Sequence, residues 1–169
     1  MKKVLIVVIS VLGLLVFSVY YYLGGTEDFV FTQVNKALYL KGEAFKGSYN
    51  DSKIESLFVN ARQISTENDG YKLAILSYPM NETKVDQVVG IVSNSEINND
   101  WESFDTSREL NGNFITTTIT AHNLVMPKPN EVLEAAQEYA ALQDLEIDES
   151  YTIEVYEGER KLLVYFPIK

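Results

Sequence analysis

Residues 151–168, YTIEVYEGERKLLVYFPI, decide how this chain folds. Two β-prone runs, 151–157 and 161–168, flank Glu157-Gly158-Glu159-Arg160, and this pattern predicts a β-hairpin. Upstream, Val132, Leu133, Ala136, Tyr139 and Ala140 recur at helical spacing and predict a helix over about 131–142, entered through Pro127, Pro129 and Asn130. Before it, residues 114–121 (FITTTITA) are dense in β-branched side chains and read as a strand. The order over 113–169 is strand, helix, strand, strand.

The same order stands once more upstream. Residues 37–46 (ALYLKGEAFK) alternate like a strand and stop at Gly47-Ser48-Tyr49-Asn50, a turn. From Asp51 to Ser65, Ile54, Leu57, Phe58, Ala61 and Ile64 share one helical face, and Ser52 with Glu55 forms a capping-box pattern. Residues 71–78 (YKLAILSY) are a strand stopped by Pro79, and 85–92 (VDQVVGIV) follow after a turn at Asn81-Glu82-Thr83. Residues 94–112 are polar and read as a connector. Each repeat, 37–93 and 113–169, has about 57 residues, which is small for independent stability. Packed together, the two predict one α+β domain over 37–169.

The N-terminus is different material. Lys2 and Lys3 precede an uncharged apolar run, 4–23, which as a helix would be about 30 Å long, the thickness of a bilayer core. Tyr20, Tyr21 and Tyr22 stand where aromatic rings favour the headgroup region. The run predicts a transmembrane signal anchor over 1–23, lodged in an inner membrane with its N-terminus cytoplasmic and the remainder extracytoplasmic. The rival reading is a cleaved signal peptide and a secreted domain, although Ser18-Val19-Tyr20 makes a poor cleavage site. Gly24-Gly25 breaks the helix, and 24–36 reads as a short tether.

Charge narrows the functions. With 14 Lys plus Arg against 24 Asp plus Glu the net charge is −10, which repels phosphate backbones and argues against nucleic-acid binding. The absence of cysteine removes disulfides, thiolate metal sites and cysteine nucleophiles. No metal or cofactor motif emerges: His122 stands alone as a polar strand-end residue, 144–149 (DLEIDE) lacks a calcium-loop pattern, and no glycine-rich phosphate loop follows a strand. Asn81-Glu82-Thr83 also fits the N-glycosylation pattern, without any sign of a host that would use it.

The duplicated order resembles the GyrI-like, or effector-binding, domain of bacterial transcription activators and stand-alone binding proteins. The resemblance rests on Phe45-Lys46-Gly47-Ser48-Tyr49, on Ser77-Tyr78-Pro79, and on Ile153-Glu154-Val155-Tyr156 followed by Val164-Tyr165-Phe166-Pro167-Ile168. It covers 36–169. It implies a concave antiparallel sheet groove with two helices on the outer side, preceded here by one transmembrane helix in place of the family's DNA-binding segment. It also implies a small organic ligand, cationic or amphipathic; certain relatives are hydrolases.

Strand alternation puts Thr152, Glu154 and Tyr156 on one face and Ile153 and Val155 on the other. The expectation is that Ile153 and Val155 face the helices while Glu154 and Tyr156 enter the groove, where a carboxylate among aromatics suits a cation. Tyr78, Trp101, Phe104 and Tyr165 are candidate walls. Two other readings stay open: a hydrolase using Glu154 as general base, for which no second acid or nucleophile can be named, and a protein-interaction or structural module at the membrane surface.

Overall fold

The computed structural model of the chain describes residues 2–26, 28–80, 84–122, 124–158 and 160–169, without the side chains of residues 2–4, 6 and 7. The expected turn and glycosylation pattern at Asn81-Glu82-Thr83, Glu27, and Glu159 of the hairpin turn lie outside the described residues.

Three helices and six strands follow one another as α1 (Lys2–Tyr22), β1 (Phe31–Ser48), α2 (Ser52–Glu67), β2 (Lys72–Tyr78), β3 (Lys84–Ser93), β4 (Thr106–Thr120), α3 (Pro129–Leu142), β5 (Thr152–Tyr156) and β6 (Lys161–Pro167). The chain is therefore α+β, and β1-α2-β2-β3 is repeated by β4-α3-β5-β6. All pairs are antiparallel, and the strands close into a barrel in the order β1-β3-β2-β5-β6-β4. Within each unit the third strand lies between the other two. The units join twice, β1 to β4 (Leu38↔Leu110) and β2 to β5 (Ile75↔Glu154).

Closure changes what the inner face is. Leu38, Leu40, Ala74, Leu76, Val88, Val92, Phe114, Ile153, Val155 and Tyr165 fill it, all buried. Each such aliphatic side chain removed from water contributes about 1.5–3 kcal/mol, so the barrel interior is a core and not the open concave groove expected from the resemblance. Gly42 faces Gly90 across β1 and β3. A Cβ at either would run into the facing backbone, so two glycines let these strands approach closely where the sheet curves.

The helices cover the outer face. Leu57, Ala61 and Ile64 of α2 pack on Leu73, Ile75, Val89 and Ile91. Val132, Ala136 and Ala140 of α3 pack on Ile115, Ile119, Leu162, Val164 and Phe166. The cap of α2 is Asp51, one residue before the expected Ser52; its Oδ1 accepts from Lys53 N at 2.9 Å. Helix α3 starts at Pro129, where a missing N–H costs no helical bond.

Two expected irregular stretches are strand. Residues 31–36 of the tether and 106–112 of the connector pair with each other or their continuations, Phe31↔Thr117 through Gly42↔Thr106. Neither stands out in sequence because both are largely polar and partly exposed.

Helix α1 is exposed on all sides, with its apolar side chains from Leu5 to Val19 52–67% open where described. Among the described residues no helix is long and apolar enough to cross a membrane. The fold therefore lends no support of its own to the transmembrane helix expected over 1–23, whose first turns lack described side chains. The end of α1 meets the barrel: His122 N donates to Leu23 O at 2.9 Å.

Candidate functional site

Strand β5 occupies the seam between the two units, with β2 of one on one side and β6 of the other beyond it. Helix α2 covers its own unit and α3 its own, so the outer face of the seam is left between them. A cleft of about 480 Å³ opens there. Its floor is the outer face of β5 and β6, with Thr152, Glu154, Tyr156, Leu162 and Val164. Its walls are the start of α3, the end of β2 from Ser77 to Met80, Tyr49, and Met126-Pro127.

Alternation along β5 holds as expected, but the faces are exchanged. Ile153 and Val155 enter the filled barrel interior. Glu154 and Tyr156 lie on the helix-bearing side, where Glu154 faces Ile75 on β2 and Val164 on β6. The reason is closure: once six strands form a barrel, the side without helices is the inside and must be apolar. A polar β5 residue then finds solvent only on the outer face.

Tyr156 Oη donates to Glu154 Oε2 at 2.8 Å. None of the described lining residues is Lys, Arg or His, and Glu154 enters no ion pair among the described residues. Burial lifts the Glu154 carboxyl above the ordinary carboxylate range, opposed by the hydrogen bond from Tyr156. Burial, and then the adjacent Glu154, push the Tyr156 phenol well above its ordinary value. A second carboxylate, Glu149, sits exposed on the rim, accepting from Gln137 Nε2 at 2.6 Å. The arrangement is a desolvated carboxylate with one neutral donor, set in an apolar and aromatic wall. As a general base it has Ser77 and Thr152 as the hydroxyls of the lining besides tyrosine, and no histidine to connect them.

The six sequence candidates separate. Glu154, Tyr156 and Tyr78 line the cleft. Trp101 and Phe104 stack edge to face at 5.8 Å and join the cluster under α2, with Tyr71 on the other side of Trp101 at 5.7 Å. The connector folds back alongside α2 and β1, which gives the lone tryptophan the core it lacks in sequence. Tyr165 is 4% exposed inside the barrel against Phe114, with Lys36 Nζ 5.6 Å from its ring. The cleft also brings in Tyr49, Tyr151, Met80 and Met126, none of which the sequence pattern marks as a wall. The usable signal was positional, since three of the four prolines, Pro79, Pro127 and Pro129, surround the cleft mouth.

Fold and site together define a duplicated βαββ domain closed into a six-strand barrel, with its cleft at the junction of the repeats. No protein-family model and no curated protein matches the chain. Solved structures do. The C-terminal domain of EcmrR superposes with a TM-score of 0.56 at 9% identity, covering 84% of this chain and 97% of that one. SAV2435, solved bound to tetraphenylphosphonium, gives 0.51 at 12%, covering 85% and 94%. An integron cassette protein from the mobile metagenome of Vibrio cholerae gives 0.51 at 13%, covering 85% and 97%. At these identities the likeness is one of fold.

Proposed function

We propose that this chain is a membrane-anchored small-molecule-binding protein whose cleft takes an organic cation with a bulky apolar body, and that Glu154 is the counter-ion. The observation that carries this reading is a carboxylate on an apolar floor with no basic residue among the described lining. Among the described residues an ionised Glu154 enters no ion pair, Arg62 acting only on the neighbouring Tyr156, and a ligand cation supplies the partner while its apolar body fills the aromatic wall. Tyr156 and Tyr78 contribute ring faces and edges, and Met80 and Met126 offer adaptable surface. Tetraphenylphosphonium, to which SAV2435 is bound, is a cation of this kind on the same fold. The anchor is read from the sequence alone, from the uncharged run 4–23 and the lysines before it. On this reading the domain lies outside the cytoplasm.

The test is titration of tetraphenylphosphonium into the full chain and into Glu154→Gln. The expected loss in the variant is about 10- to 100-fold, equivalent to about 1.4–2.8 kcal/mol. Wild-type affinity should fall as pH drops through the raised carboxyl value, because only the ionised form attracts the cation. Equal affinity in both proteins would sink the counter-ion role.

A further inference from the structure

A second hollow, of about 420 Å³, adjoins the cleft and shares Ile119, Met126 and Pro127 with it. Its other lining includes Tyr20 at the end of α1, Gly24, Gly25 and Phe29, with the charged Asp28, Lys128 and Glu131. Ile119, Met126 and Pro127 form the narrow neck that stands between the two hollows, beside the point where α1 joins the domain. Contacts fix that junction. His122 N donates to Leu23 O, and Gly24, at φ +86°, lies so close to β4 that a Cβ would stand 2.5 Å from Thr120 O. The segment after His122 divides by side chain: Val125 and Met126 turn into the core under α3, while Leu124 stays 81% exposed.

We infer that Leu124 and the neck beside it rest in the bilayer interface, so that one mouth of the cleft opens at the lipid surface. The inference rests on the anchor and cleft readings above. An apolar side chain held next to the end of a spanning helix is at headgroup depth, where it loses water contact without crossing anything. Phe29 and Met126 continue that apolar surface inward to the cleft. A ligand with an apolar body and a cationic end partitions into the same interfacial layer. Displacement of the side chains at the neck, Ile119, Met126 and Pro127, would admit it toward Glu154. The ligand class narrows accordingly to amphipathic compounds concentrated by the membrane.

The chain has no cysteine, so single labels are unambiguous. Leu12→Cys, Leu124→Cys and Leu142→Cys, each carrying the same environment-sensitive fluorophore, are compared in the full chain reconstituted in vesicles containing nitroxide lipids. Leu142 is the control: it is also 81% exposed, but it ends α3, about 20 Å along the helix from its start. Quenching several-fold stronger at positions 12 and 124 than at 142 is the expected result. Quenching at 12 with 124 no stronger than 142 overturns the interfacial seat and leaves the anchor standing. Quenching absent at both 12 and 124 overturns the anchor and the seat with it.

Discussion

The two halves of this domain follow one plan and finish it differently. Under α2, the outer face of the sheet is sealed: Leu73, Ile75, Val89 and Ile91 lie below Leu57, Ala61 and Ile64, and the connector adds Trp101 and Phe104 as a further cover. On the side of α3, the helix packs on β4 and β6, but toward β5 the floor stays open and carries Glu154. Ile75 and Glu154 are direct cross-strand partners on the same face. One is 5% exposed within a closed core, and the other stands in a cleft. A duplicated scaffold thus keeps one copy for stability, and the seam with its neighbour becomes available for binding.

The contrast can be broken most severely at Ile75. Ile75→Glu would place a carboxylate in the sealed core, with an expected cost of about 4 kcal/mol or more in denaturant unfolding. Near-normal stability would mean that the α2 side is open too. Next in size is Phe104→Ala. A large buried aromatic lost from the cluster under α2 should cost about 3–5 kcal/mol. The affinity of the folded protein for tetraphenylphosphonium should not change, since Phe104 does not line the cleft. A matching loss of affinity would show the two sides to be coupled.

Smallest is the effect of Glu154→Gln on stability, and its sign is opposite. The folded carboxyl titrates above its ordinary value. Between those two values the folded protein holds more protons than the unfolded chain, so stability falls as pH rises through the window and stays lower above it. Glutamine has no such loss. The variant should therefore melt higher than wild type at neutral pH, by roughly 2–4 °C for each kcal/mol regained. In acid below the ordinary carboxylate range, the two should melt together. A variant less stable than wild type at neutral pH would mean that Glu154 is satisfied by more than Tyr156.

Local order in this chain was legible because it is written locally. Helical spacing at Leu57, Ala61 and Ile64, and at Val132, Ala136 and Ala140, located α2 and α3, and alternation located four of the six strands closely. The pairing of β1 with β4 was not legible, because it joins residues 31–42 to 106–117 and neither arm carries a strong apolar pattern. Without that pairing the barrel does not close. Without closure, the sequence offers no way to decide which face of β5 is inside. Alternation could therefore put Glu154 and Tyr156 together and still assign them to the wrong side of the sheet. Trp101 shows the same limit: its partners Tyr71 and Phe104 are visible in the sequence, but the fold of the connector that assembles them is not.

Closure of the six strands has one more consequence. Each strand has a neighbour on both sides along part of its length, so one-sided backbone is confined to the strand ends that reach past the closed part, such as Thr106–Gly112 of β4, which pairs with β1 alone. Tethering to a surface would crowd copies of this domain at high local density, the condition under which open sheets recruit strands from one another. A sheet that ends where it begins leaves such neighbours only those strand ends to extend.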